Sequence, residues 1–401
     1  MIRQNNINII PKENSFRWVM LALVWLLYFS FGITSVTIAP LVVPIINDLN
    51  ISYTQMGFIL GAWQLVYIIT SYPLGIVIDK LSIRKSLGVG ILLIWFSLIF
   101  RGMAVDFLTL LFAVGLFGFG GPIISIGAPK VVSVWFKGNE RGLAAGIYST
   151  GPSIGAAVAL ATAAPIVVPL SGTWRGISLI YGIVVFITIL MWWMFAKNAD
   201  KDLNQVKRVS AFETFWTLLS IRNVRIIMVL AISTFLLNHG LNNWIPTLLQ
   251  EKGMSLSEGG VWAAISMLSG VIGLMIIPSI ARKGYRIITL AGIFIVASST
   301  TFGLLLFTDN PLYLSLIISN IVRAPMMPVL TLILMETKGV GAIRMGAAGG
   351  LFFAAAEIGG FSGPFILGVV RDITGNMDLG LLILGVFIVL LIILLPIIKE
   401  N

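Results

Sequence analysis

The sequence feature that most constrains the fold is a series of long apolar runs that charged residues hardly interrupt. Of the 401 residues, 58% are hydrophobic and 10% are charged, whereas soluble globular proteins carry about 25% charged residues. Such a chain cannot cover a water-exposed surface with polar side chains, so lipid must be its solvent. A helix needs about 20 apolar residues to span the hydrocarbon core, because every backbone polar group must be bonded within the segment. Twelve such helices are predicted, at residues 18–44, 54–78, 86–105, 107–134, 142–168, 176–196, 224–249, 257–280, 286–307, 311–335, 345–370 and 379–398.

The predicted helices fall into two sets of six, separated by one longer polar stretch. This division predicts an all-α integral membrane protein with an N-terminal six-helix bundle at residues 1–196, a cytoplasmic linker at 197–223 and a C-terminal six-helix bundle at 224–401. Within the linker, the segment from Phe212 to Trp216 is typical of a short amphipathic helix that lies on the membrane surface.

The two halves also repeat one another at an offset of 203 residues. At this offset Asp48 falls on Glu251, Ser52 on Ser255, Thr54 on Ser257, Gly57 on Gly260 and Pro122 on Pro325. The serines at 52 and 255 each begin a capping box, which predicts a helix start at the same place in each half. Parallel six-helix repeats of this kind are a transporter architecture, with the substrate site near the bilayer midplane between the halves.

The basic residues are distributed by side of the membrane. If the N-terminus lies inside, four of the 26 Lys and Arg residues fall on the outer side (Arg101, Arg175, Lys252 and Arg371) and Arg323 falls within a span. The others lie in segments that face the cytoplasm, as the positive-inside rule requires. We therefore expect a multi-pass protein of the cell membrane with both termini in the cytoplasm. The net charge of +10 follows from topology, and we expect no nucleic-acid partner.

A charged loop joins the second and third predicted helices. Its pattern is Gly75-x-x-x-Asp79-Lys80-x-Ser82-x-Arg84-Lys85. This pattern resembles the loop motif of the major facilitator superfamily, G-x-x-x-D-R-x-G-R-R, with serine in place of the usual glycine. Two further stretches are similar to the family, Pro129-Lys130 through Arg141-Gly142 and Gly359-Gly360 through Asp372. The resemblance implies two pseudo-symmetric six-helix bundles around a central cavity, and secondary transport by alternating access.

Two shorter stretches are similar to porters for small anions within that superfamily, including the cyanate and nitroimidazole type. They are Gly146-Ile-Tyr148-Ser149-Thr150 and Asn242-Asn243-Trp244-Ile-Pro246. This similarity implies transport of a small organic or inorganic anion, with a proton as a candidate coupling ion. Two alternatives stay open. One is export of a neutral or cationic compound, with Glu357 as the cation site, and the other is a non-transporting membrane sensor on the same scaffold.

Arg323 and Glu357 are the main candidates for substrate binding. They lie about 18 Å from the outer surface and about 19 Å from the inner surface respectively, at 1.5 Å per helical residue, so both are near the midplane. Ionisable side chains at this depth are rare and mark functional sites by default. The hypothesis is that they face each other, that Arg323 binds an anion, and that Glu357 releases Arg323 or titrates. The alternative is a fixed ion pair that only holds two helices together.

Further candidates are polar or aromatic side chains on other predicted helices. His239 is the only histidine, and either couples a proton or stays neutral and hydrogen-bonded. Asn242 and Asn243 are expected to face the cavity, with a helix break at Pro246 that would suit a gate. Asn320, one turn before Arg323, is expected to share its ligand. The remaining candidates, each with packing as the alternative role, are Tyr28, Trp63, Gln64, Tyr148 and Trp262.

The charged loop is the candidate gate. We expect Asp79 to pair with a base such as Arg141 or to cap a helix N-terminus, and so to latch the cytoplasmic side. The candidate gating residues are Gly75, Asp79, Lys80, Arg84, Lys85 and Arg141.

Small and charged residues elsewhere suggest structural roles. Gly142, Gly146, Gly151 and Gly155 recur along the fifth predicted helix and indicate close packing or a sliding surface. Arg101 and Asp106, near the outer end of the third helix, are expected to contact head groups or each other.

Enzymatic function is not supported by the residue inventory. There is one histidine, no cysteine and neither an H-E-x-x-H nor a G-x-x-x-x-G-K-S/T motif. We expect neither a cofactor nor a metal. The expected partners are a small-molecule substrate, a coupling ion and the lipid bilayer, with the protein as a monomer.

Overall fold

A computed structural model describes residues 15–198 and 211–398, which are called here the first half and the second half. Within these ranges the side chains of residues 72, 75–80, 138, 139, 211–214 and 341–346 are not described. Among the described residues, helices are joined by short turns and loops and there is no strand.

The first half contains eight α-helices. They are α1 (Phe16–Val36), α2 (Val42–Leu49), α3 (Tyr53–Lys80), α4 (Ile83–Gly102), α5 (Phe107–Trp135), α6 (Gly138–Thr162), α7 (Val168–Ser171) and α8 (Trp174–Phe195). A short 3₁₀ turn at Ala39–Leu41 joins α1 to α2, and a π-helical turn at Ala163–Val167 joins α6 to α7.

The second half also contains eight α-helices. They are α9 (Ala211–Ser220), α10 (Arg222–Glu251), α11 (Leu256–Ile280), α12 (Arg286–Leu306), α13 (Asp309–Arg323), α14 (Met326–Glu336), α15 (Gly341–Thr374) and α16 (Asp378–Ile392). Of these, α9 is the segment expected on the membrane surface. It buries Leu218, while Phe215 and Trp216 are 39% and 56% exposed.

Each of the twelve predicted crossings corresponds to a helix or to a broken helix. Among the described residues, eleven segments are long and apolar enough to cross a membrane. The remaining predicted crossing is α3, a helix of 28 residues. The predicted all-α, twelve-helix membrane fold is therefore confirmed.

One proline breaks a crossing beside a candidate residue, and another does not. Between α13 and α14 the helix ends at Arg323, and Pro325 occupies the N-cap position of α14. Proline has no N–H to donate and clashes with the preceding turn. Pro246, by contrast, lies inside α10, which continues to Glu251. The predicted break at Pro246 is therefore wrong, since the helix is continuous through this residue.

The halves meet along two helix pairs, α3 with α15 and α6 with α11. The glycines at 57 and 260 allow the close approach. A Cβ on Gly57 would lie 2.5 Å from the Pro364 carbonyl oxygen, and a Cβ on Gly260 would lie 2.6 Å from that of Leu160. Because these glycines are related by the 203-residue offset, the two crossings form one pseudo-symmetric pair.

Among the described side chains, the hydrogen bonds and close approaches between the halves lie at one end of the bundle, and none is found at the other. The contacts of α3 with the second half run from Tyr53 as far as Gln64. At the opposite end, a Cβ on Gly146 or Gly350 would meet nothing within 4 Å. We call the end where α3 begins the sealed end and the end where α3 finishes the open end. The predicted basic loops, including the loop around Ser82, lie at the open end.

Candidate functional site

Arg323 is completely buried and surrounded by neutral oxygen atoms. Its Nε donates to Ser319 Oγ (2.9 Å), Nη1 to Asn238 Oδ1 (3.1 Å) and Nη2 to Asn242 Oδ1 (3.2 Å). In return, Asn238 Nδ2 donates to the Arg323 carbonyl oxygen (3.4 Å), which the break after α13 leaves without a helical partner. The N–H groups of the guanidinium are hydrogen-bonded to uncharged groups. Its positive charge therefore has no counter-ion among these partners.

Glu357 lies in a different cluster, which joins the two halves and is called here the acidic cluster. A Cβ on Gly360 would lie 2.6 Å from Glu357 Oε2, 3.0 Å from Gln64 Cγ and 3.4 Å from His239 Cδ2, so all three side chains surround this glycine. Gln64 Nε2 donates to His239 Nδ1 (3.2 Å) across the boundary between the halves. Glu357 Oε2 and Gln64 Oε1 are buried without a hydrogen-bond partner in the described structure.

The expected direct pair between Arg323 and Glu357 is not formed. Among the described ion pairs none joins these two residues, and the hydrogen bonds of Arg323 go to α10 and to its own helix. Equal depth in the membrane was the basis of the prediction, but depth leaves the direction of a side chain around its helix undetermined. The face that Arg323 presents to α10 is set by packing.

The two clusters share α10 and lie near the middle of the membrane. Asn238 and Asn242 contact Arg323, while His239 contacts Gln64. Gln64 is eleven residues from the start of α3, or about 16 Å from the sealed end. Contacts between the halves therefore extend from the sealed end to the depth of these clusters, where the open space begins.

Aromatic side chains border the acidic cluster. The rings of Trp63 and Phe235 lie 5.7 and 4.9 Å from the His239 ring, both edge-on. Tyr67 Oη is 3.0 Å from Ser125 Oγ, which extends the polar contacts of α3 to α5.

Tyr28 and Tyr148 form a separate aromatic pair in the first half. Their rings are 5.2 Å apart in an edge arrangement, and Tyr28 Oη donates to the Ser125 carbonyl oxygen (3.4 Å). Both tyrosines are half-buried. Through Ser125 they are connected to Tyr67 and so to the edge of the acidic cluster.

Three predicted candidates form no described hydrogen bond with the side chains of these clusters. Asn243 is buried and donates to the His239 carbonyl oxygen of its own helix (2.8 Å). Asn320 donates to Ser266 Oγ (3.5 Å) on α11 instead of sharing contacts with Arg323. Trp262 stacks on Tyr313 at 4.0 Å between ring centroids. Asn320 and Trp262 thus contact a neighbouring helix, and Asn243 bonds to its own helix. Helical spacing alone did not reveal these directions.

The gating candidates lie at the open end. Arg141 donates to the carbonyl oxygens of Ser133 (2.8 Å) and Phe136 (3.2 Å) at the end of α5. Arg84 donates to the Trp193 carbonyl oxygen, and Lys85 N donates to Ser82 Oγ (3.5 Å). The loop serine is thus the N-cap of α4, a role that the glycine of the family pattern cannot perform with a side chain. The side chains of Gly75, Asp79 and Lys80 lie outside the described residues, so the Asp79 latch stays a prediction.

The expectation is wrong for Arg101, which is buried and is not paired with Asp106 in the described structure. Arg101 is 1% exposed, donates to the Thr34 carbonyl oxygen (2.6 Å) near the end of α1 and lies 5.7 Å from the Phe117 ring. Asp106 caps α5 through Thr109 N (2.8 Å). Hydrogen bonds from the backbone N–H and from the hydroxyl of Thr109 hold the pKa of Asp106 below its ordinary value.

Sequence reasoning missed four residues that complete the clusters: Asn238, Ser319, Tyr67 and Ser125. Asn238 and Ser319 are four residues from Asn242 and Arg323 respectively, so the i, i+4 spacing was the available signal. Tyr67 and Ser125 gave no such signal, because their contact depends on how α3 packs against α5.

Comparisons with known proteins agree with this architecture. A hexuronate transporter of Bacillus subtilis is 25% identical over 371 residues, covering 84% of this chain and 84% of that protein. A probable galactarate/D-glucarate transporter of the same organism is 23% identical over 430 residues, covering 93% and 90%. A crystal structure of a bacterial homologue of the human lysosomal transporter Spinster superposes with a TM-score of 0.75 at 17% identity, covering 96% and 95%.

The family model described as Major Facilitator Superfamily matches residues 24–364. This match covers most of the chain and both clusters. The chain therefore belongs to the Major Facilitator Superfamily, as a multi-pass membrane transporter and not an enzyme.

Proposed function

We propose that this protein transports a small carboxylate anion of the sugar-acid type together with a proton, by alternating access. The observation that carries the proposal is the buried Arg323 guanidinium, which has only neutral partners near the middle of the membrane. The relatives named as hexuronate and galactarate/D-glucarate transporters support the substrate class.

Arg323 has the chemistry to bind a carboxylate. A guanidinium binds a carboxylate with two parallel charge-assisted hydrogen bonds, which are roughly twice as strong as bonds to neutral oxygen. Asn238 and Asn242 are half-buried and hold Nη1 and Nη2, the two nitrogens such a ligand would need. A substrate carboxylate would displace the amide oxygens, and the freed amides would then bind its hydroxyl groups.

Glu357 is the proposed proton carrier. A buried carboxylate without a cation or a hydrogen-bond donor is costly in its charged form, and a proton removes that charge. Glu357 Oε2 has no donor in the described structure, and the nearby polar groups are Gln64, His239 and Tyr67. Protonation would let this cluster stay closed between the halves, and deprotonation would favour its separation and access by water.

The proposed orientation places the open end in the cytoplasm. The basic loops lie at that end, in agreement with the positive-inside rule. Contacts between the halves continue from the sealed end to Gln64, while Gly146 and Gly350 face open space at the other end. This arrangement corresponds to an inward-open state, with both chain termini in the cytoplasm.

Uptake into proteoliposomes tests the substrate class. Glucuronate and glucose share a hexose skeleton and differ in one carboxylate, so they form a matched pair of substrates. We expect uptake of glucuronate, accelerated when the outside is made acidic, and no uptake of glucose. Flux of neutral or cationic compounds without glucuronate uptake would instead favour the exporter alternative.

Two variants test the assigned roles. Arg323→Gln should abolish uptake, whereas Lys252→Gln removes a positive charge at the sealed end and should leave uptake intact. Glu357→Gln should keep exchange of glucuronate between the two sides but lose accumulation driven by the pH gradient. If Glu357→Gln still accumulates substrate along a pH gradient, Glu357 is not the proton carrier.

A further inference from the structure

A carboxylate of the second half caps a helix of the first half at the sealed end. Asp372 Oδ1 accepts a hydrogen bond from Tyr53 N (3.0 Å), and Oδ2 accepts one from Thr54 N (2.7 Å). Ser52 Oγ accepts from Gln55 N (3.1 Å) in the same first turn of α3. The first N–H groups of a helix have no partner within the helix, and here the opposite half supplies two of the three acceptors.

The position of Asp372 is unfavourable within its own helix. It lies in the last turn of α15, which ends at Thr374, and a negative charge is destabilising at the C-terminal end of a helix dipole. At the N-terminus of α3 the same charge is favourable, because both the dipole and the two N–H groups attract it. The interaction that stabilises this carboxylate is therefore the one with the other half.

The neighbouring residue fixes the end of α15 for this contact. Arg371 Nε is 2.5 Å from Glu251 Oε1 at the end of α10, and its guanidinium lies 4.4 Å from the Tyr53 ring centroid. Glu251 Oε2 also accepts a hydrogen bond from Met377 N (3.2 Å). These contacts tie α10 and α15 together and leave Asp372 directed at α3.

The pseudo-symmetric helix start lacks such a contact. At the start of α11, Ser255 Oγ accepts from Glu258 N (3.2 Å), and Glu258 Oε2 accepts from Ser255 N (2.9 Å). In the described ranges no carboxylate of the first half reaches this turn, and the contact there is the close approach of Gly260 to Leu160. The sealed end thus has a charged contact at α3–α15 and backbone packing at α6–α11.

We propose that Asp372 is a one-sided electrostatic latch that holds the sealed end closed and must leave the α3 N-terminus before that end opens. This inference rests on the alternating access of the proposed function. When the latch releases, α3 keeps the cap from Ser52, so the helix stays formed while the two halves separate. The latch sets the equilibrium between the state in which the sealed end is closed and the state in which it is open.

Distance measurements between two spin labels test the latch. The chain has no cysteine, so Val105→Cys and Asn310→Cys, in exposed positions at the sealed end of opposite halves, carry the only labels. In the absence of substrate, Asp372→Asn should raise the ratio of long to short distances about two- to fivefold, the range expected for one charge at a helix terminus.

Asp378→Asn is the matched control. It removes the same charge at the same end of the second half. The hydrogen bond described for Asp378 is donated by its backbone N to Asn376 Oδ1, and no described hydrogen bond or ion pair joins its carboxylate to the first half. The distance distribution should equal that of the labelled parent. An unchanged distribution in Asp372→Asn, or an equal shift in Asp378→Asn, would overturn the proposal.

A second pair of variants tests the same hydrogen bond by changing its donor, the backbone N of Tyr53. Proline is tolerated at the first position of a helix, so Tyr53→Pro removes one N–H while α3 still forms. Tyr53→Ala removes the ring but keeps the N–H. We expect a larger shift toward the long distance in Tyr53→Pro than in Tyr53→Ala, and equal shifts would exclude a backbone latch.

The experiment separates failure of the latch from failure of the proposed substrate. The distances are measured without ligand, so a protein that does not take up glucuronate still reports the Asp372 effect. Conversely, proton-driven glucuronate uptake with no distance change would disprove the latch alone.

Discussion

At the scale of single residues, Arg323 is a buried charge with neutral hydrogen-bond partners near the middle of the membrane. In a fixed ion pair a carboxylate would already neutralise the positive charge of the guanidinium, so a ligand anion would gain little by binding there. Two asparagine oxygens and a serine hydroxyl satisfy its geometry without neutralising its charge. A ligand carboxylate can therefore still gain energy by binding there.

Placing a carboxylate beside Arg323 should inhibit the protein. We expect Asn242→Asp to form an ion pair with the guanidinium and to lower the affinity for a carboxylate substrate at least about tenfold, equivalent to 1.4 kcal/mol. Equilibrium binding of glucuronate to the purified protein measures the change. Asn242→Ala, which removes the same oxygen without adding charge, should have a smaller effect, and the reverse order would contradict anion binding at Arg323.

At the scale of helices, capping residues determine where crossings begin. The boxes at Ser52 and Ser255 both form, since Ser52 N donates to Gln55 Oε1 (2.9 Å) and Ser255 N donates to Glu258 Oε2 (2.9 Å). Sequence reasoning located these starts because a capping box depends on residues three apart. The cap from Asp372 was not predicted, since it joins residues more than 300 positions apart.

The cap of α5 should contribute stability that depends on pH. Thr109 lowers the pKa of Asp106, so the contribution is present above the unfolded-state pKa of the carboxyl. It is lost as the pH falls through the lower folded-state pKa. We expect Asp106→Ala to lower the Tm at pH 7, with a difference from the parent that shrinks in acid.

Asp106→Asn is the control for this prediction, because asparagine caps helices about as well as aspartate. It should keep most of the stability at pH 7 and remove the pH dependence. Thermal unfolding in detergent at several pH values measures both effects. An Asp106→Ala difference that is constant with pH would show that the charge does not contribute.

At the scale of the whole molecule, one face of α6 is in contact at the sealed end and free at the open end. Leu160 packs against Gly260 of α11. Gly146 is fourteen residues earlier, which at about 100° per residue places it within about 40° of the same face. Gly151 and Gly155 instead pack against α1. The spacing of the four glycines predicted a single packing or sliding surface. The structure instead places them on different surfaces of the helix.

A bulky side chain on the free part of this face should obstruct closure of the open end. Gly146→Trp fits the present state, since a Cβ there meets nothing within 4 Å. We expect normal folding, loss of uptake, and a distance between labels at positions 105 and 310 that stays short. Ile147→Trp, on another side of the helix and already 38% exposed, should transport normally. Normal transport by Gly146→Trp would show that α6 and α11 do not close at this end.

The sequence alone determined the twelve crossings, the internal repeat, the helix caps and the depth of Arg323 and Glu357. These properties follow from hydrophobic length, local spacing and the rise of a helix, which act along the chain. The tertiary structure alone decided that Arg323 contacts Asn238 and Asn242, that Glu357 lies with Gln64 and His239, and that Asp372 caps α3. In lipid an apolar pattern does not mark which side of a helix faces the protein, because lipid and packed neighbours are similarly apolar. The direction of each polar side chain is therefore fixed only when the helices pack.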